Sequence, residues 1–260
     1  MCKLLNISRS LVYYKPKLSP SDYTIHNLII KIFSDSRSNY GSRKIKVELA
    51  KLGHIVSRRF ITRIVKLYGL VSNYTIKQFK KHKSIVNNSD IPNILNRHFS
   101  NRKRLEVIIS DLTYVRVANS WNYVCLIIDL FNREIVGHSA GSHKDSSLVQ
   151  AAFSTINYDL NSVDIFHSDR GKEFDNNIID DVLQHFNISR SLSNKGNPYD
   201  NAVAEATYKI FKTEFCFNRK FHSLEQLQLE LFDYINWYNN YRIHGSLAYL
   251  SPVQYRFVHL

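Results

Sequence analysis

The sequence has few cysteines and prolines and no long apolar segment. Its three cysteines, Cys2, Cys125 and Cys216, lie far apart and form neither a CxxC pair nor the even set of a disulfide framework. No apolar run approaches the roughly 18–20 residues of a membrane-spanning helix, and the first residues show no signal-peptide pattern. The histidines and cysteines also lack the spacing of a zinc module. These absences predict a reduced, cytoplasmic protein with no membrane partner.

Acidic residues are scarce in the N-terminal part of the chain. Residues 1–104 hold 22 Lys and Arg against 4 Asp and Glu, a net charge of +18, whereas residues 105–260 hold 13 against 18, a net charge of −5. Because basic side chains that neutralise phosphates release counterions, this asymmetry indicates a DNA- or RNA-binding arm joined to a domain with acidic chemistry of its own. Composition leaves open a solvated basic surface or a ribosome-associated arm.

The N-terminal part, residues 1–76, is predicted to be a small all-α region whose first helical segments lie at 1–14 and 22–36. Residues 42–51 and 58–68 form a predicted helix–turn–helix, with the turn at Gly53 and Ser57 as the N-cap. The apolar side chains expected to face inward are Ile45, Leu49, Leu52, Ile61, Ile64, Val65 and Tyr68. The second helix keeps basic side chains that we expect to lie against DNA: Arg58, Arg59 and Arg63. An amphipathic helix with a solvated basic face is the alternative.

Residues 77–104 are predicted to be a basic linker. The segment has little apolar content and contains KQFKKHK at 77–83 and NRKR at 101–104. A tether of this composition suits a path along a DNA backbone. Its predicted DNA contacts are Lys80, Lys81, Lys83, Arg102, Lys103 and Arg104.

A mixed α/β domain is predicted over residues 105–217. Its first three β-branched segments predict an antiparallel meander of strands at 107–117, 121–131 and 134–140. Helices and strands then alternate, with helices at 145–158, 178–186 and 199–216 and strands at 163–169 and 188–192. This order predicts a five-stranded mixed sheet with flanking helices, an RNase H-like fold. A C-terminal helical extension is predicted over residues 218–260, and the aromatic residues expected to pack it on the core are Trp237, Tyr238 and Tyr241.

Several acidic residues lie where metal-dependent phosphodiester chemistry would need them. Asp111 is inside an apolar strand, where a carboxylate is costly to bury unless it is paired or metal-bound. Asp129 is also in an apolar strand, and the pattern does not separate the two. Asp169 ends a short strand, and ligand sites collect at strand ends in α/β sheets. Glu205 lies on a helix whose same face continues with two cations, Lys209 and Lys212.

Several motifs carry a resemblance to a known family. The segments HSDRG (167–171), SLSNKGNPYDNAVAE (191–205) and YKIFKTE (208–214) closely resemble the second-frame product of the IS-three family of insertion-sequence transposases. Asp169 and Glu205 are separated by 35 residues, the spacing of the integrase-like branch of DDE enzymes. The resemblance covers nearly the whole chain, since it extends to 39–70, 111–115, 126–139 and 234–255. The departures are small: KEFD follows HSDRG, and no Trp precedes Asp111.

This resemblance implies a DDE transposase that cleaves DNA and transfers strands. It implies Asp111, Asp169 and Glu205 as catalytic metal ligands and Asp129 as a hairpin residue. The implied cofactor is Mg²⁺, as two ions, with Mn²⁺ as a substitute. Lys212 matches a family position that contacts DNA ends. An inert DNA-binding regulator and a nuclease that cuts without joining are the competing hypotheses. The intact triad disfavours the first, and the C-terminal signature disfavours the second.

The same resemblance implies partners and supporting residues. We expect transposon-end and target DNA, a homo-oligomer assembled on that DNA, and a first-frame protein as partner or fusion, acting at the nucleoid in a bacterial cytoplasm. His167 precedes Asp169 by two residues, so it either tunes the site or is a packed, hydrogen-bonded histidine. A polar cluster precedes the catalytic helix, formed by Asn197, Asp200 and Asn201. Asp200 is the expected N-cap, and the alternative is that the cluster supports the metal ligands or contacts DNA.

Overall fold

The computed structural model describes residues 2, 4, 8, 20–75, 91–195, 197–217 and 219–260. The chain forms two compact units, Met1–Ser72 and Asn73–Leu260. The helical segment predicted over 1–14 lies largely outside the described residues, as does the part of the linker that contains Lys80, Lys81 and Lys83. In the described part of the chain, no helix has the length and apolar character that crossing a membrane requires.

The described part of the N-terminal unit contains three helices: α1 (Pro20–Asp35), α2 (Ser42–Lys51) and α3 (Arg58–Leu67). The turn after α2 uses Gly53 at φ 82°, a left-handed conformation that glycine adopts without strain. The Ser57 hydroxyl caps α3 by accepting a hydrogen bond from the Phe60 amide at 3.2 Å. The predicted helix–turn–helix is therefore confirmed. The buried apolar side chains of the described N-terminal helices include Ile29, Phe33, Ile45, Leu49, Ile61 and Ile64.

Two apolar side chains of this unit depart from the helical pattern. The prediction that Leu52 and Tyr68 face inward is wrong, since they are 55% and 44% exposed. Both are C-cap residues, of α2 and α3 respectively, where the backbone leaves the helix. The periodicity that places a side chain on the inner face no longer holds at that point.

The second unit is built on one five-stranded sheet: β1 (Val107–Val117), β2 (Ser120–Asp129), β3 (Ile135–Gly141), β4 (Ile165–Ser168) and β5 (Ser189–Leu192). The strand order is β3-β2-β1-β4-β5. The first three strands pair antiparallel, whereas β4 pairs parallel with both β1 and β5. The predicted meander and the mixed RNase H-like sheet are thus confirmed.

Helices cover both faces of this sheet: α4 (Ser146–Ser154), α5 (Asn177–His185), α6 (Ala202–Phe211), α7 (Leu224–Asn240) and α8 (Pro252–His259). One apolar cluster joins alternate residues of β1 and β2 to α6 and α7. The other cluster joins the opposite face of the same strands to α4 and α5. The long strands β1 and β2 therefore lie at the centre of the core, with the carboxylate-bearing part of β1 beneath α6.

The segment predicted as one helix over 199–216 has three parts. A 3₁₀ turn at Pro198–Asn201 precedes α6, and a π-helical turn at Lys212–Cys216 follows it. Proline fixes φ and removes a hydrogen-bond donor, which suits the first turn. The π-helical turn buries Glu214, whose carboxylate accepts hydrogen bonds from Arg242 at 2.8–3.0 Å.

The C-terminal extension is only partly as predicted. Trp237 and Tyr238 are buried, but Tyr241 is 67% exposed because it is the C-cap of α7. Helix α8 was not predicted. Its sequence signal is a capping box, in which Ser251 and Gln254 exchange backbone-to-side-chain hydrogen bonds at 3.0 and 3.2 Å.

Candidate active site

Two neighbouring parallel strands bring Asp111 and Asp169 together. The register of β1 and β4 pairs Ile109 with His167. Asp111 and Asp169 each lie two residues beyond that pair, Asp111 inside β1 and Asp169 just after the end of β4. Because β4 ends at Ser168, β1 continues past its parallel neighbour at this point.

The pKa values of both aspartates are raised. Burial raises the pKa of Asp111 to about 7, and the negative charge of Asp169 contributes to this rise, while the Lys212 ammonium opposes it. Burial also raises the pKa of Asp169; the Gly171 amide opposes this rise, and the charge of Glu173 adds to it. Two half-buried carboxylates whose charges repel each other are stabilised by a nearby cation.

Backbone amides hold one oxygen of each aspartate. The Leu112 N–H donates to Asp111 Oδ1 at 2.8 Å, and the Gly171 N–H donates to Asp169 Oδ1 at 3.0 Å. Both donors come from the chain immediately after the carboxylate that they bind. The orientation of each aspartate is therefore set locally, by strand β1 in one case and by the turn after β4 in the other.

Glu205 lies in the first turn of α6 and is partly buried. Its negative charge contributes to the raised pKa of Asp111, so it lies within electrostatic range of that carboxylate. Among the described residues, no three His, Cys, Asp or Glu side chains lie close enough together to ligate one metal ion. The structure thus brings Asp111 and Asp169 together, and Glu205 as the third ligand stays a prediction.

The donor set fits a hard divalent cation. The facing groups are carboxylate oxygens, which Mg²⁺ and Mn²⁺ prefer over the nitrogen and sulfur ligands of zinc. The burial and mutual repulsion of Asp111 and Asp169 are unfavourable in the protein alone, and a divalent charge would offset both. The residues present are therefore consistent with a magnesium site.

An ion pair that the sequence did not predict flanks Asp169. The Lys144 ammonium, from the loop between β3 and α4, lies 2.9 Å from the buried carboxylate of Glu173. The Glu173 carboxylate also covers Gly171, because a Cβ built there would lie 2.3 Å from Glu173 Oε1. Glu173 is part of the KEF segment after HSDRG, so its place near Asp169 had a sequence signal, whereas Lys144 is distant in sequence and had none.

Gly171→Ala is expected to destabilise the fold by roughly 1–3 kcal/mol, since the added methyl overlaps the Glu173 carboxylate and displaces it from Lys144. Urea unfolding measures the change. Gly245→Ala is the matched control, because a Cβ at Gly245 meets nothing within 4 Å. Combining Gly171→Ala with Glu173→Ala should restore part of the loss. Equal unfolding midpoints for Gly171→Ala and Gly245→Ala would contradict the predicted clash.

Helix α6 is anchored over Asp111 by a buried tyrosine. The Tyr208 hydroxyl donates to the Asp111 carbonyl and accepts a hydrogen bond from the Leu126 amide at 2.6 Å. Asp111 and Leu126 are paired residues of β1 and β2, so one phenol joins the helix to both strands. Tyr208 is three residues after Glu205, on the same face of α6. The predicted cation Lys209, four residues after Glu205, is exposed.

The polar cluster before α6 differs from its prediction in one respect. Asp200 is not the N-cap of α6; it lies in the 3₁₀ turn, and its carboxylate accepts hydrogen bonds from Arg97 Nε at 2.6 Å and the Asn194 amide at 3.0 Å. Pro198 begins this extra turn and moves the start of α6 to Ala202. Asn201 holds the N-cap position without a side-chain cap, and Asn197 donates its amide to the Asn194 carbonyl.

His167 is a packed, hydrogen-bonded histidine. Its ring nitrogens lie 2.9 and 3.1 Å from the hydroxyls of Ser191 and Ser193, and the side chain is fully buried. Burial lowers its pKa to about 4. Of the two hypotheses for this residue, the contacts favour the structural one, in which it joins β4 to β5 directly beside Asp169.

The basic residues predicted to bind DNA differ in their surroundings. Arg58, Arg59 and Arg63 are exposed on α3, with the Arg63 guanidinium 5.2 Å from the centre of the Phe60 ring. In the second unit, Lys103 is exposed. Two other side chains there have protein partners: Arg102 donates to Glu106 at 2.6 Å, and Arg104 lies 4.6 Å from the centre of the Tyr158 ring.

Comparisons with known proteins cover almost the whole chain. A model described as an HTH-like domain matches residues 21–78, and two models described as integrase core domains match residues 101–198 and 205–260. The insertion element IS600 uncharacterized 31 kDa protein of Shigella sonnei is 30% identical, over 98% of this chain and 97% of that protein.

Two further relatives have similar coverage. The putative transposase InsK for insertion sequence element IS150 of Escherichia coli K12 is 27% identical, over 98% of this chain and 92% of its own length. The transposase for insertion sequence element IS904 of Lactococcus lactis is 29% identical, over 85% of this chain and 88% of its own length. These relatives match both units of the chain, so the likeness is not confined to the sheet.

Proposed function

The chain belongs to the IS-three family of insertion-sequence transposases, and we propose that Asp111, Asp169 and Glu205 are the three carboxylates with which it cuts and joins DNA. Its reaction is the DNA cleavage and strand transfer of transposition. The observation that carries the assignment is the register of β1 and β4, which supports a shared role for Asp111 and Asp169. Glu205 is assigned from its charge effect on Asp111 and its place on α6.

A divalent metal ion is the expected cofactor of an integrase core, and we assign Mg²⁺, as two ions, with Mn²⁺ as a substitute. Asp111, Asp169 and Glu205 would hold it. When bound, such ions activate the attacking oxygen and stabilise the leaving oxygen of a phosphodiester. The mutual repulsion of the two aspartates supports this assignment, because it is relieved by a cation.

The two reactions need the same groups. In the first, a water oxygen bonds to phosphorus at the transposon end and the bond from phosphorus to the 3′ oxygen breaks, which leaves a 3′-OH. In the second, that 3′ oxygen bonds to a target phosphorus and displaces the 3′ oxygen of the target strand. Leu112 and Gly171 hold the two aspartates in orientation throughout. Lys212, whose charge already acts on Asp111, neutralises the phosphate.

DNA is held by both units. The HTH-like match and the +18 charge of residues 1–104 support Arg58, Arg59 and Arg63 as contacts, with the basic linker following the backbone. The linker contacts assigned on charge alone are Lys80, Lys81, Lys83, Arg102, Lys103 and Arg104. We further propose that the chain assembles as a homo-oligomer on the transposon ends, with a first-frame protein as partner, in a bacterial cytoplasm.

Metal binding tests the triad independently of catalysis. Asp169→Asn and Glu205→Gln are each expected to weaken Mn²⁺ binding at least about tenfold in calorimetry, because each removes a charged oxygen donor. Both should lose strand transfer of an end-sequence oligonucleotide in Mg²⁺. Asp181→Asn, exposed on α5, removes the same charge at the surface and should match the parent in both assays. Strand transfer by Asp169→Asn would show that the triad is wrong.

A further inference from the structure

Two exposed aromatic rings at the end of the β1–β2 hairpin alternate with two cations. Tyr114 and Trp121 are 40% and 51% exposed, and their ring centres lie 5.1 Å apart at an angle of 88°. The Lys212 ammonium lies 4.9 Å from the centre of the Tyr114 ring, and the Arg116 guanidinium lies 5.3 Å from the centre of the Trp121 ring. We call these four residues the hairpin surface.

The fold does not need these rings where they are. Along β1, Thr113, Val115 and Val117 are buried, whereas Tyr114 and Arg116 between them are exposed. On β2, Trp121 pairs across from Arg116, so the same face continues onto the second strand. Adjacent exposed rings that are rimmed by charged groups are typical of a binding surface.

The chemistry of the hairpin surface matches a DNA strand. Aromatic rings accept stacked bases, and adjacent cations bind the phosphates that join them. Every charged group among the four residues is positive, so the surface repels another basic surface and attracts a polyanion. The basic part of a second copy of this chain, residues 1–104 with a net charge of +18, is a poorer match.

The surface also adjoins the proposed catalytic carboxylates. Tyr114 is three residues beyond Asp111 on the same strand, about 10 Å along it, and the alternation of side chains places the two on opposite faces of β1. Lys212 links the two, since its ammonium lies over Tyr114 and it directly follows α6, the helix whose Tyr208 is hydrogen-bonded to the Asp111 carbonyl. DNA bound on the hairpin surface is therefore within a few nucleotides of a phosphate held at Asp111.

We propose that the hairpin surface binds the terminal nucleotides of the transposon end, with an unpaired base stacked on Tyr114 or Trp121 next to the phosphate that is cut. The inference rests on the proposed function, because it takes Asp111 as the reacting centre. The transposon end occupies the reacting centre at Asp111 in both cleavage and strand transfer, whereas target DNA enters only for strand transfer. A surface beside the reacting phosphate thus fits the end.

Tryptophan fluorescence reports on this surface directly. The chain has two tryptophans, and Trp237 is buried at 6% exposure, so emission that responds to a ligand at the surface comes from Trp121. The full chain in EDTA is titrated with a duplex of the terminal sequence of the element that encodes it, carrying a few unpaired terminal nucleotides. We expect quenching of the emission, and loss of that quenching in Trp121→Phe.

Variants of the two rings measure how much each ring contributes to DNA binding. Tyr114→Leu and Trp121→Leu should each weaken binding of the frayed duplex on the order of tenfold, the effect of losing one stacked base. Phe257→Leu is the matched control, because Phe257 is also an exposed ring beside a guanidinium, that of Arg256 on α8. It should bind as the parent does.

Three outcomes would overturn the proposal. Unchanged emission with unchanged binding by Tyr114→Leu excludes a stacking role. Equal quenching by a blunt duplex of unrelated sequence excludes the transposon end as the specific occupant. Emission that follows protein concentration instead of DNA, with a doubled mass, makes the surface an interface between copies. Since all measurements are made in EDTA, a wrong triad would leave them unaffected, and the two failures are distinguishable.

Discussion

Asp111→Asn is expected to abolish strand transfer and also to make the metal-free protein harder to unfold. The activity loss should reach on the order of 10³-fold or more, as for removal of other essential catalytic groups. The gain in the free energy of unfolding should be roughly 1–2 kcal/mol at neutral pH, because a neutral amide avoids the burial cost and the repulsion from Asp169 that raise the pKa of Asp111. Urea unfolding in EDTA and an oligonucleotide strand-transfer assay in Mg²⁺ measure the two effects.

Asp129→Asn is the matched control for this prediction. Asp129 is also a buried strand aspartate, at the end of β2, but its carboxylate accepts hydrogen bonds from the Leu105 and Phe131 amides at 3.1 and 2.9 Å. Asp129 therefore links the segment before β1 to the turn between β2 and β3. The Asp129→Asn variant should retain strand transfer. A variant at Asp129 that loses activity while keeping its stability would reverse the roles of the two aspartates.

The sheet was predictable because its signal is local. Each strand can be recognised from its own residues: the meander strands are β-branched, and the short strand ending at Asp169 is apolar. The choice between Asp111 and Asp129 was not local. It needed the family resemblance, and the parallel register of β1 and β4 now gives it a physical basis, since the pairing sets Asp111 next to Asp169.

The features that the sequence did not predict depend on contacts between distant residues. Lys144 has no neighbour in sequence that marks it, and only the packing of the β3–α4 loop brings it to Glu173. Tyr114 and Trp121 are residue types that are common in protein cores, yet both side chains are exposed. Their exposure depends on which face of the hairpin the helices cover, and the sequence of the hairpin does not show that. Hydrophobic pattern alone cannot distinguish a ring that packs from a ring that binds.

Breaking the buried ion pair beneath the π-helical turn should strongly destabilise the second unit. The Glu214 carboxylate accepts hydrogen bonds from Arg242 at 2.8–3.0 Å, from Tyr74 at 2.5 Å and from Tyr234 at 3.1 Å. These contacts join the start of the unit to the π-helical turn, α7 and the segment after α7. Arg242→Met leaves the carboxylate buried without its counter-charge, which is expected to cost about 3–5 kcal/mol in urea unfolding.

Two further variants separate that charge effect from simple loss of a side chain. In Glu214→Gln/Arg242→Met no charge remains buried, so most of the lost stability should return. Arg219→Met breaks a partly exposed pair with Glu230 and should cost at most about 1 kcal/mol, because water screens that interaction. Should Arg242→Met and Arg219→Met prove equally mild, the Glu214 network would be a packing feature. A large cost for Arg242→Met, recovered in the double variant, would show that the buried Glu214 carboxylate needs its counter-charge within the π-helical turn that begins at Lys212.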